Sequence, residues 1–220
     1  MKNLEKLWRE VLRFSVLHVP KARYTYEELE EMVEGIVGET AEAWLVRCWH
    51  EPNAPVNEDT LWEMEQEMKQ VWGKSIPEEL RQLLRLADGG RLFVLSLKDW
   101  QGIAPYARYH IFSTTELATI NRNLLKDFRA MLGSDPDFRD FHVLNYVAFC
   151  DAHNGNYLAI LLEGPERGKV FFLYKEYLFR PYSKLDADLY YTVAPSLEAW
   201  LELVVRTKGW DGFGEMMEYL

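Results

Sequence analysis

Apolar residues recur along this chain with two different periods, and the change from one to the other divides it. Up to about residue 87 the period is helical. Leu4, Leu7, Trp8 and Val11, continued by Ser15, form one stripe that ends before Pro20. Thr25 and Glu28 have capping-box spacing, in which each side chain satisfies the other residue's backbone N–H. Leu29, Met32, Val33 and Ile36 follow at helical spacing. Ala41, Trp44, Leu45, Cys48 and Trp49 also fit the helical period, although a strand over 43–49 fits the same short aromatic run. Pro52, Asn53, Pro55 and Asn57 break the pattern and mark the best boundary in the chain.

Thr60 and Glu63 repeat the capping-box spacing ahead of Leu61, Met64, Met68, Val71 and Trp72, and Gly73 ends that helix. Ser75 and Glu78 open the next one, with Pro77 near its first turn, where a missing N–H costs nothing. Its face is Ile76, Leu80, Leu83, Leu84 and Ala87, and Asp88-Gly89-Gly90 stops it, since glycine takes the left-handed geometry a helix end needs.

Beyond residue 90 the pattern becomes short, β-rich apolar runs separated by turn residues. Residues 92–97, 106–112, 143–150, 157–162 and 170–174 read as strands. One helix interrupts them, opened by Ser113 and Glu116 and carrying Leu117, Ile120, Leu124, Leu125 and Phe128. Pro195 and Ser196 open a last helix with Leu197, Trp200, Leu201, Val204 and Val205 on one face. The expected fold class is α+β: a mostly antiparallel β-sheet flanked by helices. A helical N-terminal extension occupies residues 1–54, and the α+β domain occupies 55–220.

Composition narrows the function classes. The 220 residues are 48% hydrophobic and 27% charged, as in an ordinary globular protein. No apolar run reaches the roughly 18 residues of a membrane span, and acids among the first ten residues argue against a signal peptide. Cys48 and Cys150 have no CxxC spacing and read as buried thiols in a reducing cytoplasm. The net charge is −10, and residues 1–79 hold 17 Asp and Glu against 9 Lys and Arg. Phosphate binding needs clustered Lys and Arg, so nucleic acid is not an expected partner. A basic protein is, with a solvated acidic surface as the plainer alternative.

Residues 58–205 resemble the SUKH superfamily, which includes bacterial immunity proteins of polymorphic toxin systems and fungal regulators of cell-wall assembly. The resemblance runs in order. It starts with the helix from Leu61 to Trp72 bearing Glu65, then Gly73, Ile76 and Pro77, then Leu80, Leu84 and Asp88-Gly89-Gly90. It continues through Phe112 to Leu117 with Asn121, the turn Asp151 to Tyr157 with Gly155 and Asn156, Gly168 to Phe171, and the last helix. Asp88 stands where the family usually has Asn, and Ala152-His153 replaces small turn residues. The resemblance implies a non-enzymatic protein-binding domain without cofactor. Its implied task is neutralising a toxin, possibly a nuclease with a basic cleft, by occlusion. A regulatory scaffold for an endogenous partner is the alternative, and an unrecognised hydrolase or deaminase a third.

Candidate partner-binding residues are Glu58, Asp59, Glu63 and Glu67 on the acidic helix, with Tyr106, Phe179 and Tyr182 as aromatic anchors. Aromatic residues on alternating positions of 106–112 and 170–174 point to an open sheet face available to a partner. Glu65, Pro77, Asp88, Gly89, Gly90, Asp151, Gly155 and Asn156 read as structural. Catalytic and metal-ligating constellations are weak. Cys150, Asp151 and His153 are close in sequence, but adjacent strand residues point to opposite faces. His50 and Glu51 beside Cys48 form the nearest approach to a ligand set.

Overall fold

The computed structural model describes residues 2–98, 106–134, 146–152, 156–173 and 190–210. In chain order the elements are α1 (Lys2–Val11), β1 (Val16–Pro20), α2 (Tyr26–Met32), β2 (Ile36–Glu39), β3 (Ala43–Arg47) and β4 (Trp49–Pro52). After these come α3 (Glu58–Trp72), α4 (Glu78–Leu86), β5 (Gly90–Leu95), β6 (Tyr106–Ile111) and α5 (Thr114–Ser134). The chain continues with β7 (Tyr146–Asp151), β8 (Tyr157–Leu161), β9 (Val170–Leu173), β10 (Tyr190–Ala194) and α6 (Leu197–Arg206). The class is α+β, and every strand pairing is antiparallel.

Two sheets share the elements. The larger runs β10-β9-β8-β7-β6-β5-β4, and the smaller runs β1-β3-β2. The N-terminal region opens with α1 as expected, but a helical reading of residues 36–49 does not hold, because β2, β3 and part of β4 lie there. The apolar window of 41–49 is too short for a helical period to be told from a strand. β10 went unpredicted, since Tyr190–Ala194 is a short run.

Helix ends sort the capping signals. Thr25 with Glu28 forms a full capping box, and so does Ser113 with Glu116, whose carboxylate accepts from Ser113 N–H at 2.9 Å. The Thr60 and Ser75 boxes do not form. Asn57 caps α3 by accepting from Thr60 N–H, which starts the helix earlier and places Glu58 and Asp59 at its positive end. Pro77 is itself the N-cap of α4, in extended geometry, so Ser75 falls outside the helix. Gly73, at φ +70, closes α3.

The corner Asp88-Gly89-Gly90 joins three elements. Asp88 accepts from Thr114 N–H at 2.7 Å and from its hydroxyl at 3.2 Å, which fixes the start of α5. Gly89 has φ +74, and a Cβ there would lie 2.5 Å from the Ile111 carbonyl and the Ser113 nitrogen. At Gly90, φ +125, a Cβ would lie 2.5 Å from the Glu51 carbonyl of β4. Only glycine lets both backbones approach.

Asn121 is a second strut. Its amide donates to Ala148 O at 2.7 Å and its oxygen accepts from Ala148 N–H at 2.8 Å. Those are the two bonds a neighbouring strand residue would make. They fall where the short β6–β7 ladder, Ile111 with Cys150 and His110 with Asp151, has run out. Trp200 of α6 is fully buried between Tyr109 and Phe149, with ring centroids at 5.5 and 5.4 Å.

The N-terminal region is part of the same core. Trp8, Leu17, Val46 and Cys48 belong to one buried cluster with Leu80, Phe93, Tyr109 and Trp200. Gly209, at φ +94, lets the turn after α6 sit against Phe93 and Leu17, where a Cβ would meet side-chain carbons at 2.6 and 2.7 Å. Asn3 of α1 donates to Glu198 of α6 at 2.6 Å.

A Gly89→Ala substitution meets backbone on both sides and a positive φ, so nothing flexible can give way. It should lower unfolding stability by at least about 3 kcal/mol. Gly164→Ala, at φ +83 with open space around it, should cost about 1 kcal/mol. Urea unfolding midpoints of the two variants check the order.

Candidate protein-binding site

Along α3 the period of 3.6 separates two faces. Leu61, Met64 and Met68 are buried, whereas Glu58, Asp59, Trp62 and Glu63 are exposed. Trp62 is 61% exposed, the most open of the large apolar side chains among the described residues. Sequence reading counts it as the third residue of a capping-box spacing and does not single it out. The available signal is that Trp62 lies off the Leu61-Met64-Met68 stripe, which leaves an aromatic ring on the polar face.

The predicted acids divide into paired and unpaired. Glu58 receives the Arg85 guanidinium on both oxygens, at 2.7 and 2.9 Å, and this bidentate bond holds the Glu58 carboxyl below the usual carboxylate range. Glu67 is paired with Arg122 of α5. Asp59 and Glu63 meet no cation among the described residues, and Asp59 lies one helical turn before Trp62. The polar side of α3 therefore carries an exposed aromatic ring, two free carboxylates and the two neutralised ones, Glu58 and Glu67.

Glu65 belongs to the interior. It is 7% exposed and paired with Arg81 of α4, which donates through Nε at 2.5 Å and also reaches Glu78 at 2.9 Å. An acid at this position joins α3 to α4. Leu197 N–H at the start of α6 donates to Glu79 at 2.9 Å, a separate tie from α4 to the last helix.

The other expected contacts fall elsewhere. Tyr106 is buried at 7% exposure and offers no surface to a partner. Val170, Phe171, Phe172 and Leu173 are all buried, so β9 is covered on both faces and the expected open aromatic face is absent there. Phe179, Tyr182 and Gly155 lie outside the described residues. Asp151 pairs with Tyr157 across the β7–β8 hairpin, and the Asn156 carbonyl accepts from Ala152 N–H at 2.8 Å, as a hairpin role requires.

Titratable groups are arranged for packing. The Cys150 thiol is fully buried, and its predicted neighbour His153 lies outside the described residues. Burial pushes the Cys48 thiol up to about 12, far from a reactive thiolate. His50 bridges two segments: one ring nitrogen meets the Phe14 carbonyl at 2.9 Å, and Nδ1 accepts from Phe93 N–H at 3.3 Å. Phe93 is a buried residue at φ +51, opposite the irregular register of β4. Among the described residues no three His, Cys, Asp or Glu side chains converge as metal ligands, and no helix is long and apolar enough to cross a membrane.

Antiparallel sheet, Asp-Gly-Gly corner, Asn121 strut and buried Glu65 together define an α+β domain that carries the motifs of the SUKH resemblance in their order. The model of the SMI1/KNR4 family (SUKH-1) matches residues 55–203, and the chain belongs to that family. Membership is consistent with an immunity or a regulatory protein-binding role. No curated protein sequence matches the chain. β1 to β4 lie before the matched region, yet β4 completes the edge of its main sheet.

Two outcomes follow from these contacts. Glu65→Ala removes the buried partner of Arg81, leaving it only the exposed Glu78, and should cost about 2 kcal/mol, between exposed and fully buried ion pairs. Asp59→Ala should cost under about 1 kcal/mol, and chemical denaturation compares the two. Burial lowers the His50 pKa below 6.5, against the opposing bond to the Phe14 carbonyl. The neutral ring is the folded form, so its contribution is complete above pH 6.5 and is lost as pH falls through the lowered folded value. The stability advantage of the wild type over His50→Gln should therefore shrink below pH 6, measured by urea unfolding at stepped pH.

Proposed function

We propose that this chain is a non-enzymatic protein-binding domain that neutralises a bacterial effector toxin by covering its active site or substrate channel. The observation that carries the reading is Trp62, 61% exposed on the polar face of α3, with the free carboxylate of Asp59 one helical turn before it. An aromatic side chain ringed by polar groups is the usual anatomy of an interface hot spot. Its rim is acidic, so the partner it suits is a basic toxin domain, such as a nuclease with a cationic cleft. Opposite charge speeds encounter with that partner and disfavours acidic competitors.

Family membership supports the protein-binding part of this reading, and the inward use of His50, Cys48 and Cys150 agrees with it. Occlusion needs a preformed surface rather than a moving one, and α3 is held from both ends by Asn57 and Gly73.

The test uses any basic protein encoded by a gene beside this one, made with its suspected active site disabled. Wild-type protein should bind it with an affinity that falls as salt rises. Trp62→Ala should weaken binding by at least about 30-fold, equivalent to about 2 kcal/mol, without moving the thermal midpoint. Co-expression with the active toxin should protect cells only when Trp62 is present. Binding to an endogenous protein instead, with no protection, moves the reading to a regulatory scaffold. Binding unaffected by Trp62→Ala takes α3 out of the interface.

A further inference from the structure

We infer that the outer edge of β2, in the sheet that precedes the family domain, is a docking edge for an extended basic segment of a partner protein. This rests on the protein-binding reading above and adds a second, separate surface to it. β2 is the last strand of the order β1-β3-β2, and among the described residues no strand pairs with its outer side. Its residues carry little cover: Val37 is 48% exposed, and Gly38 and Glu39 are exposed. An edge strand with free N–H and C=O groups is a template for one more strand, and here it is the charge around the edge that selects the strand it takes.

Charge selects the occupant. Between Tyr24 and Val46 the chain has seven glutamates and not one Lys, Arg or His. All seven are exposed. Glu28 is used in the α2 capping box and Glu39 is paired with Lys21. Glu27, Glu30, Glu31, Glu34 and Glu42 meet no cation among the described residues. On α3, by contrast, Arg85, Arg81 and Arg122 neutralise Glu58, Glu65 and Glu67. Among the described residues, five uncompensated carboxylates therefore lie around α2 and β2, whereas α3 keeps two, Asp59 and Glu63.

The surface is continuous from α2 to the strand. Tyr26, 40% exposed, meets Trp44 edge-on at 5.4 Å, and Trp44 faces Glu39 across the β2–β3 ladder. The Glu30 carboxylate beside Tyr26 raises its phenol pKa, which reports the same field. A second copy of this chain is a poor occupant, because edge-to-edge pairing would bring two sets of five free carboxylates together. An extended segment alternating Lys or Arg with apolar residues fits. Its backbone extends the sheet, its apolar side chains cover Val37, and its cations meet the glutamates.

The probe is a capped eight-residue peptide alternating lysine and valine, titrated onto the full chain with amide hydrogen exchange and fluorescence anisotropy. Two control peptides alternate glutamate with valine and lysine with proline. The lysine–valine peptide should slow exchange at residues 36–39 by about tenfold at saturation. It should also lose about tenfold in affinity between 50 and 300 mM salt. The lysine–proline peptide has the same charge and no strand donors at proline, so it should bind at least about fivefold more weakly and give no protection. Gln at positions 27, 30, 31 and 34 together, and separately Val37→Lys, should each weaken binding at least about fivefold. Both changes are on exposed positions, and an unchanged urea midpoint verifies the fold.

Equal binding of the glutamate peptide, equal binding of the lysine–proline peptide, or protection confined to α3 overturns the proposal. In the last case Trp62→Ala also removes the peptide, and the protein-binding reading stands without the β2 edge. Protection at 36–39 that persists in Trp62→Ala, with no toxin bound in the earlier test, leaves the edge standing and removes the toxin.

Discussion

The structure depends most on the close approach of three backbones at Asp88-Gly89-Gly90. Gly89 admits the turn from β6 into α5, Gly90 admits β4, and Asp88 fixes the first N–H groups of α5. These demands are steric on one side and electrostatic on the other, and they act on consecutive residues. No substitution that adds a Cβ satisfies the first two. Asp in place of the family's usual Asn meets the third, since only acceptor oxygens are used here, toward Thr114 N–H and its hydroxyl. A carboxylate at a helix start also gains from the helix dipole.

Gly90 draws the region before the family match into the fold. The strand it admits, β4, is the edge of the main sheet and leads directly from β3 of the small sheet. His50 in that strand ties the end of α1 to the strained backbone at Phe93, and Gly209 brings the C-terminal turn onto the same ring. Residues 1–54 thus share buried contacts with the first helices, the main sheet and the last helix. In this fold they are not an appendage on a linker, and whatever surface they present is held as firmly as the rest.

Legibility in the sequence followed how local each signal is. The Thr25 and Ser113 boxes, the Gly73 stop and the Ser196 cap rest on contacts within one helical turn, and all are present. The Thr60 and Ser75 boxes were equally local in spacing, but Asn57 and Pro77 compete for the same helix starts, and spacing alone does not rank competitors. Glu65 was legible as structural only through the resemblance, because its partner Arg81 lies on the next helix. The α3 acids show the same limit. Their charge is plain from the sequence, yet which of them are neutralised depends on where Arg85 and Arg122 arrive. Tyr106 and the β9 aromatics read as surface candidates because alternation cannot tell a sheet open on one face from one covered on both.

The limit met at the α3 acids bears on the two proposed surfaces. Net charge by itself directs attention to the helix where acids cluster in sequence, but a paired carboxylate contributes little field at a distance and resists losing its arginine. What α3 retains is an aromatic ring with two free carboxylates, suited to a short-range contact sensitive to shape. The carboxylates of Glu27, Glu30, Glu31, Glu34 and Glu42 meet no cation among the described residues, so they act at longer range and fall off with the Debye length. A partner drawn in by the second surface and held by the first would show strong salt dependence in its association rate and weak salt dependence in its dissociation. A single mixed surface would not separate the two rates in this way.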